Sequence, residues 1–306
     1  MTATSEITAP GTWDGIANRL PLWPLEQCYA YGEAAESLGQ KAIRLRTTIG
    51  GEVVQAQYLT RRAAWVLRLT QAIRGPVATC WRAEIVLPAL AEMRRCLRPG
   101  FPSLTLHMPE AGESDELDAS FRRLGVHRIA SGYRSAVLDL RPDEVSLRAG
   151  LWPEWRNRLA AAERARLSVS TARDGEAVDW VIAQSAAAQA RRGYRGPRPR
   201  FARSLVAALG VRRVLAVLVS DTSGIVAGGL FLRHGPDATY WLSQTTPEGR
   251  RSSATNLLMW TAVRRLKATG VRQLDLGGVD TDRAPGIARF KLGLGGIPLS
   301  LAGIYA

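Results

Sequence analysis

Two pairs of glycines near the end of the chain bracket a cation. Leu274-Asp275-Leu276-Gly277-Gly278 is followed by Gly286-Ile287-Ala288-Arg289-Phe290-Lys291-Leu292-Gly293-Leu294-Gly295-Gly296. Paired glycines let a backbone turn tightly or approach a ligand closely. The first pair ends a predicted strand, and the segment between the pairs predicts a short helix presenting Lys291 to the space so opened. Lys291 either serves that space or caps the helix C-terminus in solvent. Asp275 is either a general base or the cap of the Gly277-Gly278 turn.

A second concentration of chemistry is the Gly/Pro-punctuated loop Arg191 to Arg203, which holds six arginines, among them Arg191, Arg192 and Arg195, beside Tyr194. Guanidinium forks can clamp a diphosphate or an RNA end, or the loop is a solvated connector. The whole chain is basic: Lys+Arg 41 against Asp+Glu 27, net +14. Such charge suits tRNA, a nucleotide-sugar, anionic lipid or coenzyme A equally. Metal chemistry is not expected, because Cys28, Cys80 and Cys96 are scattered without CxxC spacing and only three histidines exist. The cysteines read as small core or helix residues in a reducing compartment. His107, His127 and His234 match no motif and are expected at surfaces or strand ends.

These residues need a scaffold. The 306 residues are 46% hydrophobic and 22% charged, ordinary for a globular protein. No run approaches the roughly 18 apolar residues of a membrane helix, and no secretory signal is visible, so a soluble cytoplasmic protein is expected. Leu25–Leu38 reads as a helix, and Ala42–Thr48 and Val53–Thr60 as a hairpin around Gly50-Gly51. Short strands at Trp65–Leu69 and Ala72–Arg74 precede a helix at Arg82–Leu97, a strand at Leu104–His107, a helix at Asp115–Leu124 and a strand at Ser135–Leu140. The pattern then restarts with helices at Pro153–Arg166 and Ala177–Ala190 around a strand at Leu167–Ala172, and a helix near Phe201–Leu209. A second hairpin follows, Val214–Ser220 with Ile225–Arg233, then a strand at Tyr240–Gln244, a helix at Ser252–Ala268 and a strand at Gln273–Leu276. Each half is thus a mixed α/β module, and the whole reads as a duplication that switches near Asp143–Leu151.

The chain's ending resembles the FemABX family, whose second domain closes with D-x-G-G and then G-x-x-x-F-K-x-x-F/L-G-G. Other segments are similar in order. Gln27–Gly39 resembles the family's N-terminal helix, with Tyr29 and Tyr31 where tryptophans are common. Arg74-Gly75-Pro76 is similar to its R-G-P element. Trp155-Arg156-Asn157 with Ala162-Glu163-Arg164 resembles the opening of its second domain, Arg191-Arg192-Gly193-Tyr194 its R-D-G-F, and Tyr240-Trp241-Leu242-Ser243 its aromatic strand.

The resemblance implies a mixed α/β fold of two fused GNAT-type domains. The first would span 1–145 plus a returning tail at about 297–306, and the second 146–296. It implies an enzyme that moves an amino acid from aminoacyl-tRNA to an amine, in a peptidoglycan precursor or a smaller natural-product molecule, with no bound cofactor. Such transfer needs alignment, oxyanion stabilisation and the handling of one proton. The motif position makes Lys291 the oxyanion partner, in a cleft between the domains near Tyr240 and Arg191. Phe290 would pack beneath the site, and Gly277, Gly278, Tyr240, Arg191 and Tyr194 would contact substrate. Arg192, Arg195, Arg250 and Arg251 are candidates for phosphate or tRNA. The N-terminal helix reads Glu33-Ala34-Ala35-Glu36, without the lysine that helps hold nucleotide-linked acceptors in the family, and one family helical hairpin is absent between Trp155 and Ser168. The acceptor is therefore open, and a monomer is expected. An acyl-CoA donor is the alternative, although Arg250-Arg251-Ser252-Ser253-Ala254-Thr255 departs from the glycine-rich GNAT phosphate loop. A basic RNA-binding protein without catalysis is a third reading, but it leaves the glycine-flanked Lys291 unexplained.

Overall fold

A computed structural model describes residues 3–63, 66–97, 102–193 and 196–306. The chain forms two compact units, Met1–Arg134 with Leu299–Ala306, and Ser135–Pro298.

In the first unit the described elements are β1 (Ala3–Glu6), α1 (Pro10–Asp14), α2 (Tyr29–Glu36), β2 (Lys41–Ile49), β3 (Glu52–Ala63), β4 (Leu67–Ala72), β5 (Val77–Ala78), α3 (Ala83–Leu97), β6 (Ser103–His107), α4 (Asp115–Arg123) and β7 (Arg128–Ala130). The predicted hairpin is β2–β3, paired from Lys41↔Thr60 to Ile49↔Glu52 around Gly50 and Gly51, which both take positive φ. One strand, β4, replaces the two expected between 65 and 74; Trp65 lies outside the described residues. Arg74 is instead in a turn at φ 49, buried, and bonded to Glu110 through Nε at 2.8 Å. The predicted helix at 25–38 is a 3-10 turn (Leu25–Gln27) followed by α2.

The glutamine and glycine of the N-terminal segment hold it to the sheet. Gln27 Nε2 donates to Ile73 O at 2.7 Å, and its Oε1 accepts from Gln57 N at 2.8 Å. Gln57 in turn donates to Cys28 O and accepts from Arg44 Nε. A Cβ on Gly32 would collide with the Arg44 and Gln57 side chains, so only glycine lets α2 lie on this polar layer. Buried amides that make all these bonds specify one packing.

The second unit contains β8 (Arg134–Asp139), α5 (Glu144–Ala149), α6 (Pro153–Arg164), β9 (Ser168–Ala172), α7 (Gly175–Arg192), α8 (Pro199–Leu209), β10 (Val214–Asp221), β11 (Gly224–His234), β12 (Asp237–Thr245), α9 (Pro247–Arg251), α10 (Ala254–Ala268), β13 (Gln273–Gly278), α11 (Pro285–Gly293) and β14 (Ile297–Ser300); β15 (Ile304–Tyr305) ends the chain. The sheets run β1-β2-β3-β4-β6-β15-β7 and β14-β8-β13-β12-β11-β10-β9. Each contains an antiparallel run followed by one parallel pair, β4·β6 or β12·β13. Beyond that pair lies an antiparallel strand, β15 against β6 and β8 against β13. The second unit therefore begins at Ser135 rather than at the expected 146, because β8 pairs with β13. Sequence reading missed β1, β5, β7, β14 and β15, which are two to four residues long and carry too little pattern to be seen.

His107 and His234 are the last residues of β6 and β11, and His127 is at the surface. His107 and His234 are only 2% and 1% exposed. His107 sits in the first unit's core, its Nδ1 3.2 Å from Tyr58 Oη, and burial lowers its pKa to about 4. His234 Nε2 is 2.8 Å from Thr239 Oγ1. Among the described residues no group of His, Cys, Asp and Glu could hold a metal ion, and no helix is long and apolar enough to cross a membrane.

Candidate active site

The site begins where two strands part. β12 pairs with β13 only through Asp237↔Gln273, Ala238↔Leu274 and Thr239↔Asp275, while it follows β11 as far as Ala227↔Thr245. The β11 register slips between Leu230↔Leu242 and Phe231↔Tyr240, so Trp241 is the extra residue of a bulge. A bulge bends its strand, and here it lies at the point of parting. A cavity of about 700 Å³ opens there. Tyr240, Trp241 and Ser243 to Thr245 form one wall with Leu276, and the start of α10 and the inner face of α11 supply others.

Lys291, Phe290, Tyr240 and Arg250 all line this cavity. The α11 helix places Lys291 so that Nζ donates to Gly278 O at 2.7 Å, tying the helix to the glycine turn. Burial lowers the Lys291 pKa to about 8, and the negative charge of Asp275 works against that shift. Asp275 is 1% exposed. Its Oδ1 accepts from Gly277 N at 2.8 Å and from Ser135 Oγ at 2.5 Å. Of its two expected roles it therefore fills the turn cap, and it also faces the ammonium. Gly277 takes φ +74, which the turn requires.

Glycines let α11 sit close to the sheet and to α6. A Cβ on Gly296 would lie 2.8 Å from both Leu276 Cδ1 and Lys291 O, and one on Gly293 3.1 Å from Trp155 Cδ1. Trp155 Nε1 donates to Phe290 O at 3.1 Å, and the two rings lie 5.7 Å apart. Tyr240 stacks on Phe231 at 5.1 Å, and burial pushes its hydroxyl pKa up to about 12, so it is a neutral hydrogen-bonding group.

The cavity is electropositive: Arg158, Arg250, Arg283 and Lys291 line it, and among the described residues no acid is in its wall. Arg250 Nη1 donates to Thr245 O at 3.0 Å. Ser253 takes the left-handed conformation (φ 56) between α9 and α10, so the helix expected at 252–268 begins at Ala254. The first N–H groups of α10 have no intrahelical acceptor and so form a positive helix end beside the cavity. A recess of about 180 Å³ shares Arg158, Asn256, Gly286 and Phe290 with the cavity and adds Trp152, Trp155, Gly293 and the Glu154–Arg289 ion pair.

Other expected contacts fall elsewhere. Arg251 is exposed and pairs with Glu248 at 2.9 Å. Arg191 is exposed on α7 and is not in the cavity wall, so it does not accompany Lys291 and Tyr240 there. Tyr194, Arg195 and the Arg192 side chain lie outside the described residues. Sequence reasoning missed Arg158, Trp241, Asn256 and Arg283. A signal existed for Asn256, a polar residue in the buried stripe of α10 with Met259, Trp260 and Val263; it is 4% exposed and its Nδ2 has no partner among the described residues.

Residues 154–292 match the acetyltransferase (GNAT) domain family. The structure of FemX superposes with a TM-score of 0.83 at 14% identity, covering 99% of this chain and 96% of that one. A tandem GNAT protein from the clavulanic acid biosynthesis pathway matches at TM-score 0.54 and 16% identity, covering 100% and 98%. A conserved protein from Bacteroides thetaiotaomicron matches at 0.61 and 11%, covering 100% and 98%. No curated protein sequence matches the chain. At such identities the structural likenesses carry the fold, and the domain match carries the chemistry. The chain thus has a fold like those of FemX and of a tandem GNAT protein, its second unit matches a GNAT acetyltransferase domain, and it is an acyltransferase.

Proposed function

We propose that this acyltransferase moves an amino acid from aminoacyl-tRNA to an amine, forming an amide. The observation that carries this reading is the half-buried Lys291 ammonium in an arginine-lined cavity, tied to the Gly277-Gly278 turn. In the transfer, the incoming amine forms a C–N bond to the ester carbonyl and the ester C–O bond breaks. The ribose hydroxyl leaves with a proton, and the amine loses one. Negative charge accumulates on the carbonyl oxygen, and Lys291 donates to it in a site where water screens poorly. Asp275 keeps the lysine charged near neutral pH by opposing the effect of burial. The recess beside Trp155 and Phe290 suits an acyl group with a side chain rather than acetyl alone. The acceptor is an amine of a peptidoglycan precursor or of a smaller natural-product molecule, with a cytoplasmic setting and tRNA as partner.

A second reading, an acyl-CoA donor, draws support from the α10 N-terminus beside the cavity, because helix ends of this kind hold phosphates. Single-turnover transfer from tRNA charged with radiolabelled amino acids, with cell extract as acceptor, tests the first reading. RNase-sensitive transfer that disappears in Lys291→Ala is the expected result. No transfer from tRNA, with enzyme-dependent release of CoA from an acyl-CoA panel, would replace it with the second.

A further inference from the structure

A second basic recess lies at the other end of α10. Five arginines line it: Arg173 after β9, Arg212 and Arg213 before β10, Arg233 near the end of β11, and Arg265 in the last turn of α10. Its volume is about 560 Å³, and among the described residues Asp174 is the one acid in its wall. Backbone carbonyls orient two of the guanidinium groups. Arg173 Nη1 donates to Arg212 O at 3.2 Å, and Arg233 donates to Gly235 O at 3.2 Å and to Thr269 O at 3.0 Å. Among the described residues none of the five makes an ion pair with a carboxylate, whereas Arg141, Arg148, Arg203, Arg251 and Arg272 in the same unit all do.

Structural needs do not account for this grouping. One basic residue at a helix C-terminus offsets the helix dipole, but five like charges around one recess repel each other unless an anion sits among them. The charge is also segregated along the chain. The unit Ser135–Pro298 carries 25 Lys/Arg against 14 Asp/Glu, a net +11, whereas the remainder carries 16 against 13, a net +3. The 15 residues of α10 span about 22 Å at about 1.5 Å per residue, so that distance separates the recess from the Lys291 cavity at the helix's other end. It equals roughly six phosphate steps of about 3.4 Å along a stacked strand. Coenzyme A bound in the cavity would keep its few phosphates at the α10 N-terminus. A nucleic acid strand whose acylated end lies in the cavity extends far enough to reach both ends.

We propose that the recess lined by Arg173, Arg212, Arg213, Arg233 and Arg265 is a second phosphate-binding site, which grips the RNA backbone of the acyl donor at a distance from its reactive end. This rests on the tRNA reading above. Guanidinium forks suit phosphodiester oxygens, and contacts of this kind position an RNA without reading its sequence.

The test is the salt dependence of binding of 5′-labelled uncharged tRNA, read by fluorescence anisotropy. It compares wild type, Arg212→Ala/Arg213→Ala/Arg265→Ala, and a control of equal charge, Arg95→Ala/Arg122→Ala/Arg123→Ala. All six residues are exposed, so folding should survive, and thermal melts verify it. The recess triple should weaken binding about tenfold or more at 100 mM salt and reduce the log–log salt slope by about 2 to 3, as the loss of three phosphate contacts requires. The control should keep the wild-type slope, and Arg265→Ala alone should lose about one from it. Coenzyme A binding should be equal in wild type and the recess triple. Equal tRNA slopes for both triples, with wild type binding well, would overturn the recess and leave the tRNA reading standing. Absence of salt-dependent tRNA binding by wild type would overturn both. A matching loss of coenzyme A affinity in the recess triple would assign the site to free phosphates and overturn the RNA occupant.

Discussion

Replacing Lys291 with methionine should separate the cost of this site from its use. Methionine is close to lysine in length and carries no charge. Burial moves the ammonium from 10.5 to about 8. At about 1.4 kcal/mol per pH unit, keeping it charged at pH 7 costs the folded state about 3 kcal/mol relative to the unfolded chain. The sign follows from proton binding. Below pH 8 both states hold the proton and the full cost is present. Between 8 and 10.5 the folded state is neutral while the unfolded state stays charged, so the cost disappears as pH rises. Wild type should therefore gain about 3 kcal/mol of stability relative to Lys291→Met between pH 7 and 10.5. At pH 7 the variant's advantage is smaller, because it loses the bond to Gly278 O, worth about 1 kcal/mol, and the cation facing Asp275. Transfer should fall about 100-fold, the effect of removing one oxyanion donor. Urea denaturation at pH 7, 8.5 and 10 measures the first effect, and single-turnover transfer the second. A stability difference that is flat with pH would mean that the ammonium is solvated, and the argument from burial would be refuted. An active Lys291→Met would refute the oxyanion role independently.

Three other perturbations follow from the same structure. Asp275→Asn keeps an acceptor for Gly277 N but removes the charge that raises the Lys291 pKa, so the alkaline limb of the pH–rate profile should move below about 8; an unchanged limb would uncouple the two residues. His107, held neutral with a pKa near 4, should make the fold lose stability as pH falls from about 6.5 towards 4, because the unfolded chain takes up the proton first. His107→Phe should flatten that decline in urea melts compared at pH 7 and 5, and a decline as steep as wild type's would locate it elsewhere. Arg74→Ala should cost about 3–5 kcal/mol in denaturant melts, since Arg74 and Glu110 have side chains only 6% and 7% exposed. Arg95→Ala, which breaks an exposed pair, should cost under about 1 kcal/mol, and similar costs for the two would refute the burial argument.

The mixed α/β elements could be read from the sequence because their signals are local, whereas two GNAT-type domains were implied by the family resemblance. The Gly50-Gly51 hairpin, the amphipathic helices and the glycine pairs around Lys291 depend on turns and periodicities within a few residues. Phe290 and Lys291 also follow Gly286 at fixed helical spacing, so one element carries both into one place. The position of β8 could not be read this way. Its apolar alternation predicts a strand, but only its pairing with β13, more than 130 residues later, assigns it to the second unit.

Chemistry spread over distant segments was hidden for the same reason. Arg158 on α6, Arg250 on α9 and Arg283 before α11 form one positive wall only because β12 and β13 separate after three paired residues. Nothing in the arginine-rich loop at 191–203 indicates that its exposed Arg191 stays outside that wall, or that five less conspicuous arginines gather at the far end of α10. Residue type and spacing determined which groups this chain can offer: a lysine between glycine pairs, an aspartate at a turn, and an excess of guanidinium. The tertiary structure decided which of them share a cavity, because burial, strand parting and long-range pairing are set by contacts between segments that no local pattern records.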